Sequence, residues 1–228
     1  MISSIYKKSF SVLASKPLRL WGISLLSIFL SMAAHILFGV IPGAAIAIGL
    51  LLETSMTLIY LNGFLGQEVK TLQLFDCFRS WRTIGRVLGG MAWMLMWVLL
   101  WSLIPVAGIV FGVIKFYSYR LTPYILMKEP EVKATEAYKL SEQRTMGYKG
   151  KMFWADVLPV LAYIAAVLIL SVFSAIPYLG WLFALVLAVL VVAFAVFLPL
   201  FLGLVQSAFY VEIQKSLDPP AADMGWYE

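Results

Sequence analysis

The feature that most constrains this chain is a stretch of 55 residues, 157–211, that contains no formally charged side chain. A helix needs about 20 apolar residues to cross the hydrocarbon core of a bilayer, so this stretch is long enough for two crossings. Hydrophobic residues make up 62% of the chain and charged residues 13%, against about 45–50% and about 25% in soluble domains. The sequence therefore predicts an integral membrane protein and excludes a water-soluble globule.

An Ile-Pro pair followed closely by glycine occurs three times within apolar sequence. The three prolines are Pro42, Pro105 and Pro177, and no charged residue lies beside them. Proline lacks the amide hydrogen that a residue inside a helix donates, and a nearby glycine permits a tight reversal of the chain. Each site is therefore predicted to be a short turn between two helices.

The turns divide the apolar sequence into six segments, most of them long enough to span a bilayer as a helix. The segments are 20–41, 44–66, 87–104, 106–127, 152–176 and 179–211. We predict an all-α polytopic protein with one membrane domain, residues 1–228, and six transmembrane helices in three repeated hairpins, at 20–66, 87–127 and 152–211. The first segment is longer than the about 7–15 apolar residues of a cleaved signal peptide, so we expect it to be retained.

Three more polar segments precede the hairpins, at 1–16, 68–84 and 131–148. In the first two, apolar residues recur near helical spacing opposite charged residues, which is typical of amphipathic helices that lie in the membrane interface. The third is more polar and is predicted to be helical and less deeply inserted. All three are expected on the cytosolic side.

The positive charges are grouped in the connections before alternate apolar segments, and the net charge is +5. Connections rich in lysine and arginine stay in the cytoplasm, so both termini are predicted to be cytoplasmic and the Ile-Pro turns to lie outside. We expect these charges to contact anionic membrane lipids and no nucleic acid. The candidate headgroup contacts are Lys149, Lys151, Arg79 and Arg82.

Several short motifs follow one another in the second half of the chain. They are Ile104-Pro105 with Gly108, Tyr117-Ser118-Tyr119-Arg120, Tyr124-Ile125-Leu126, Pro130, Ser141, residues 146–153 and Pro177-Tyr178. In these motifs, residues 104–210 resemble an uncharacterised bacterial integral-membrane family, catalogued as domain of unknown function nine-seventy-five. The resemblance implies a multi-pass protein of the bacterial inner membrane and assigns no activity.

Two oppositely charged residues are predicted at similar depth in the bilayer. Glu53 lies 11 residues after Pro42 and Lys115 lies 10 residues after Pro105, so both are about 16 Å from the outer turns. A charge at the bilayer centre costs about 2.5–3.5 kcal/mol on insertion scales, and it should therefore find a partner. A Glu53–Lys115 ion pair is geometrically possible, either as a proton or substrate site or as a structural contact.

Other polar residues near this depth have two interpretations. Arg120 is expected to extend its side chain to the inner headgroups, although Tyr117 and Tyr124 share its helix face and could line a polar cavity with it. Tyr60 is a further candidate for a midplane site. Asp156 is expected to cap the start of a helix.

The sequence contains no motif of a known enzyme class. It has one histidine, His35, and one cysteine, Cys77, which are too few soft ligands for a metal site, and we expect neither metal nor cofactor. The leading prediction is a non-enzymatic accessory or scaffold component that contacts lipid headgroups or a membrane-protein partner. The alternative is a small transporter or channel that uses a polar site around Glu53 and Lys115. The sequence leaves the oligomeric state open.

Overall fold

The computed structural model describes residues 1–15, 17–41 and 43–217, so Lys16, Pro42 and residues 218–228 lie outside the described residues. Within them every regular element is helical, which confirms the all-α prediction. The elements are α1 (Ile2–Ser15), α2 (Pro17–Phe38), α3 (Ala44–Phe64), a 3₁₀ helix (Thr71–Phe78), α4 (Trp81–Ser102), α5 (Gly108–Ser118), α6 (Thr122–Lys128), α7 (Ala137–Arg144), α8 (Lys149–Ser174) and α9 (Gly180–Leu217). Five of these, α2, α3, α4, α8 and α9, are long and apolar enough to cross a membrane.

The predicted fourth span, residues 106–127, is interrupted. α5 ends at Ser118 and α6 begins at Thr122, so neither helix is long enough to cross a bilayer alone. The expectation of six uninterrupted spans is therefore wrong at this position. The segment is mostly apolar but contains Lys115 and Arg120. Pro123, which lacks an amide hydrogen, stands at the start of α6, and the interruption is packed against residues elsewhere in the chain.

α5 and α6 run antiparallel along α4, on which both pack. Gly112 in α5 lies against Ser102, the last residue of α4. At the opposite end, the Arg86 side chain near the start of α4 donates a hydrogen bond to the carbonyl oxygen of Leu126 in α6, at 3.0 Å. The broken pair therefore extends over most of the length of α4.

The buried core lies at the end of the bundle that carries the basic connections. Buried residues include Leu74 of the 3₁₀ helix, Val87 near the start of α4, Tyr124 of α6, and Leu204 and Phe209 in the second half of α9. By contrast, none of the residues 157–199 is fully buried. An apolar helix that is exposed on all sides is stable only in lipid, so this part of α8 and α9 has the surface of a membrane-embedded hairpin.

The last two Ile-Pro turns have the same backbone geometry. Both follow the pattern Ser-x-Ile-Pro-x-x-Gly, and the residue after proline, Val106 or Tyr178, has a positive φ of 67° or 69°. In each turn the glycine packs directly against the carbonyl of the serine that ends the preceding helix, Ser102 or Ser174, where no Cβ would fit. These two turns are therefore one structural motif used twice.

The predicted amphipathic segments are helical over part of their length. α1 packs mainly on α9, and the 3₁₀ helix buries Leu74 and Cys77 while Leu72 and Phe75 remain exposed. In the segment 131–148, only α7 is a regular helix, and it packs against α5 and α6. Each segment therefore covers the core end of the bundle.

The Tyr6 side chain links α1 to α8 by donating a hydrogen bond to a carbonyl oxygen that a proline in α8 leaves without its usual donor. Pro159 has no amide hydrogen to donate to the carbonyl of Ala155, four residues earlier in α8. The Tyr6 hydroxyl donates to that carbonyl instead, at 2.6 Å. Burial raises the pKa of Tyr6, and the nearby Asp156 carboxylate raises it further, so the hydroxyl keeps its proton at neutral and mildly alkaline pH.

Replacing Tyr6 by phenylalanine should lower the free energy of unfolding by about 1 kcal/mol, because the Ala155 carbonyl loses its partner. In a Pro159→Ala background the restored amide can bond to that carbonyl, so Tyr6→Phe should cost much less. A double-mutant cycle of reversible unfolding in mixed micelles measures the difference. An equal cost of Tyr6→Phe in both backgrounds would contradict the assignment.

Candidate functional site

The interruption between α5 and α6 frees backbone groups that side chains from other elements satisfy. The Ser141 hydroxyl accepts from the amide of Leu121 at 3.0 Å and donates to the carbonyl of Ser118 at 2.9 Å. The Thr145 hydroxyl also donates to the Ser118 carbonyl, at 3.0 Å. Unpaired backbone groups in a buried site are costly, so the polar segment that contains α7 is a structural part of the bundle.

A second set of contacts joins the interruption to α9. The Gln206 side chain donates to the carbonyl of Arg120 at 3.0 Å. One turn further along α6, Tyr124 stacks on Tyr210 with ring centroids 4.4 Å apart, and its hydroxyl lies 3.2 Å from the Ser207 hydroxyl. The interruption is therefore held between the α7 segment on one side and α9 on the other.

Arg120 forms a partly buried ion pair with Asp156, in which both guanidinium nitrogens Nη1 and Nη2 donate to the carboxylate. The Tyr117 hydroxyl donates to the same carboxylate at 3.1 Å. The Arg120 side chain is only 10% exposed and that of Asp156 15%. Arg120 therefore does not extend to the headgroups as expected, because a carboxylate lies within its reach. Asp156 is not a helix cap either, since α8 begins at Lys149.

Lys115 pairs with Glu142 of α7 and not with Glu53. Its ammonium nitrogen lies 2.6 Å from the Glu142 carboxylate and 4.8 Å from the centre of the Trp101 ring. The predicted Glu53–Lys115 contact is therefore not formed. Similar distances from the two turns made the Glu53–Lys115 pair possible, but no sequence pattern indicated that Glu142 of the α7 segment would pair with Lys115 instead.

A third pair completes what we term the inner ion-pair cluster: Lys115–Glu142, Arg120–Asp156 and Arg144–Glu129. The Arg144 guanidinium binds both carboxylate oxygens of Glu129, and Arg86 donates to the backbone carbonyl of Glu129 at 2.7 Å. Every charge in the cluster has an opposite charge beside it. A site of this kind holds helices together and leaves no free charge for a ligand.

On the other side of the interruption lies a cavity of about 500 Å³, which we term the Glu53 cavity. It is bounded by one face each of α2, α3 and α9 and by the start of α6. Its lining residues are Ser24, Ser27, Ile28, Ser31, Gly49, Glu53, Met56, Thr57, Tyr60, Pro123, Pro199, Leu202, Gly203 and Gln206. Several of these carry hydroxyl, amide or carboxyl groups, so polar groups are set into a cavity wall that is otherwise mostly apolar.

The Glu53 side chain lies at the middle of α3 and is exposed to the cavity opening. Within residues 1–15, 17–41 and 43–217, its carboxylate has neither a basic residue within 4.0 Å nor a hydrogen-bond donor. A charge at this depth needs a partner. The cavity in front of Glu53 is where such a partner would lie.

Tyr60 is the second predicted site residue in the cavity. Its hydroxyl lies 3.1 Å from the Ser24 hydroxyl of α2, and its ring packs directly on Gly203 of α9, where a Cβ would collide with it. The glycine thus allows α3 and α9 to approach closely at the cavity wall. Of the predicted midplane residues, the structure brings Glu53 and Tyr60 together and places Lys115, Tyr117 and Arg120 in the separate cluster.

The serine-lined face of α2 is a part of the cavity that was not among the residues predicted from the sequence. Ser24, Ser27 and Ser31 are spaced three and four residues apart within an apolar segment. That spacing puts them on one face of a helix, and hydroxyl groups aligned on a transmembrane helix indicate a polar neighbour. The pattern was therefore sufficient to predict a polar surface, although not to place Gln206 opposite it.

The candidate headgroup contacts differ in how freely they face solvent. Arg79, Arg82 and Lys151 are exposed, and the first two have no acidic residue within 4.0 Å in the described part of the chain. Lys149 is half-buried, with its ammonium nitrogen 3.9 Å from the Glu142 carboxylate. Arg79 and Arg82 are therefore the better placed candidates.

No family model, curated protein or solved structure matches this chain. The resemblance of residues 104–210 to an uncharacterised membrane family thus stays a prediction. Across the described ranges, no three His, Cys, Asp or Glu side chains are grouped so that they could hold a metal ion.

Replacing Asp156 by asparagine should lower the free energy of unfolding by about 3–5 kcal/mol, because it leaves the buried guanidinium of Arg120 without a counter-charge. Glu68→Gln is the matched control: Glu68 pairs with Arg19 and Lys70, whose side chains are 72% and 64% exposed, and should cost about 0–1 kcal/mol. Unfolding in mixed micelles measures both. Similar losses for the two variants would mean that burial of the Arg120 pair has no energetic consequence.

Proposed function

We propose that this chain is a non-enzymatic accessory or scaffold component of a bacterial inner membrane that holds anionic lipid headgroups at its cytosolic surface. The observation that carries the proposal is a patch that we term the interfacial surface: Leu72, Phe75, Arg79, Trp81 and Arg82. All five side chains are exposed, and they combine apolar and positively charged groups at the edge of the bundle.

The interfacial surface has the composition of a membrane-interface anchor. Leu72 and Trp81 are 79% and 87% exposed, which is costly in water but favourable at the boundary between headgroups and acyl chains. Arg79 and Arg82 beside them would then lie at the level of lipid phosphates. A basic residue held near an anionic surface contributes about 1 kcal/mol. Lys151 at the start of α8 is a further exposed positive charge.

The proposed topology has six crossings, the fourth made by α5 and α6 together. Its support is that the broken pair follows α4 from Ser102 to Arg86 and that its interruption is buried against protein, where irregular backbone is tolerated at membrane depth. The basic connections would be cytosolic and the turns at Val106 and Tyr178 external. Three hairpins, 20–66, 87–127 and 152–211, remain part of this proposal.

The alternative, a small transporter or channel, is supported by the Glu53 cavity and weakened by the inner ion-pair cluster. A transport pathway that joined Glu53 to Lys115 would have to break the Lys115–Glu142 contact and cross the interruption held by Gln206. The Glu53 cavity by itself supports a binding site and no continuous path across the membrane.

Labelling of introduced cysteines can test the topology, because the native Cys77 is expected to react little with the label. Cys77 is fully buried, and burial raises the pKa of its thiol, so the reactive thiolate is scarce at neutral pH. In intact cells a membrane-impermeant maleimide should label Val106→Cys and Tyr178→Cys. It should label Met146→Cys only after permeabilisation. Labelling of Val106→Cys and Met146→Cys from the same side would contradict six crossings.

The double variant Arg79→Gln/Arg82→Gln should lose preference for anionic lipid. In reconstituted vesicles, its association with spin-labelled phosphatidylglycerol relative to phosphatidylcholine should fall by about fivefold per charge removed. Lys133→Gln/Lys139→Gln is the matched control, since it removes the same charge from exposed positions in a segment without an exposed aromatic side chain. If the control pair reduces the preference equally, the interfacial surface is not a specific contact.

A further inference from the structure

The Glu53 cavity has an uncompensated negative charge. Glu53 is the only acidic or basic side chain among its described lining residues. The polar groups around it, including those of Ser27, Ser31, Thr57 and Gln206, are neutral. Lys115 and Arg120, the basic residues predicted nearest to this depth, are both bonded to acidic residues of the inner ion-pair cluster. No basic side chain of the described residues is therefore placed to balance an ionised Glu53, and a positively charged ligand group would do so.

The dimensions of the cavity favour an organic molecule over a bare inorganic ion. Its volume of about 500 Å³ lies in the range of small-molecule sites, which is about 300–1,000 Å³. An inorganic cation would need several oxygen ligands converging on one point, whereas Glu53 is the single carboxylate here. Apolar surface from Ile28, Met56 and Leu202 lines the same space. A ligand with both a positive group and an apolar body matches these walls.

The cavity reaches the protein surface at the middle of a membrane-spanning helix. Glu53 lies at the middle of α3, a helix long and apolar enough to cross the membrane, and its side chain is nevertheless exposed. A ligand that partitions into the bilayer can therefore reach the carboxylate without passing through the cytosolic end, where the core residues and the inner ion-pair cluster close the bundle.

From this geometry we propose that the Glu53 cavity binds a small lipophilic organic ammonium. The ammonium group lies beside the Glu53 carboxylate, polar substituents bond to Ser27, Ser31 or Gln206, and the apolar body packs on Ile28 and Leu202. The proposal concerns a site inside the membrane and does not depend on headgroup contacts at the interfacial surface.

Gly49 offers a way to close the cavity without changing its charge. It lines the cavity, and a Cβ added to it would have no heavy atom within 4 Å. A larger side chain at this position can therefore enter the open space. Gly89 in α4 is a matched control, because a Cβ there also meets nothing within 4 Å and the residue is outside the cavity lining.

The test uses two probes of nearly the same shape: benzyltrimethylammonium, and its neutral isostere neopentylbenzene. Equilibrium dialysis against the full-length protein in nanodiscs, corrected with empty nanodiscs, measures binding of each. The wild type should bind the cation more tightly than the isostere. Glu53→Gln should weaken cation binding by about tenfold or more and leave isostere binding within about twofold. Glu53→Asp, which keeps the charge, should retain most of the preference.

Gly49→Phe should weaken binding of both probes, whereas Gly89→Phe should change neither. Thermal unfolding of each variant confirms that it is folded, and isostere binding by Glu53→Gln confirms that its cavity is intact. The proposal is overturned if the wild type binds no cation at millimolar concentration, if it binds both probes equally, or if Glu53→Gln binds the cation as well as the wild type does.

Discussion

The interruption of the helix between Ser118 and Thr122 is the constraint on which the rest of the structure depends. Backbone groups freed inside a buried core cannot be left unpaired without cost, so polar side chains must be brought to them. Ser141 and Thr145 come from a polar connection and Gln206 from the last helix, and each bonds to the interruption. Parts of the chain that are far apart in sequence therefore have to assemble together, and the core is compact at the end of the bundle where they meet.

The same interruption divides the charged residues into two groups. On the side of α7 and α8, Lys115 and Arg120 are each matched by a carboxylate. On the side of α2 and α3, Glu53 is unmatched and faces a cavity. Buried ion pairs are often close to neutral for stability and chiefly specify which elements pack together. The matched group therefore acts as structure, whereas the Glu53 carboxylate has no ion-pair partner among the described residues.

Hydropathy predicted the architecture well, because spans depend on local composition alone. The charge-free residues 157–211 form α8 and α9 as expected, and the Ile-Pro turns at Pro105 and Pro177 reverse the chain. Contacts between distant residues could not be predicted in the same way. Residues 106–127 are mostly apolar but contain Lys115, Arg120 and Pro123, and although Pro123 stands at the start of α6, the partners of the interruption, Ser141 and Gln206, lie 20 or more residues away in the chain. The position of Glu53 at the middle of a long apolar helix was predictable from residue counting, but which helices would be its neighbours was not.

The exposure of the α8–α9 hairpin affects how the position of these helices depends on the membrane. None of the residues 157–199 is fully buried, so in this region acyl chains take the place of much of a core. The half of the bundle that contains α6 and α7 is held by hydrogen bonds and ion pairs between its elements. In the far half, α8 and α9 contact each other, as in the stacking of Tyr163 on Phe194, and most of their remaining surface is exposed, so the tilt of this pair is expected to follow bilayer thickness and lateral pressure. Pro199, where the exposed stretch ends, lines the Glu53 cavity, so the cavity adjoins the part of the protein whose position depends most on the membrane.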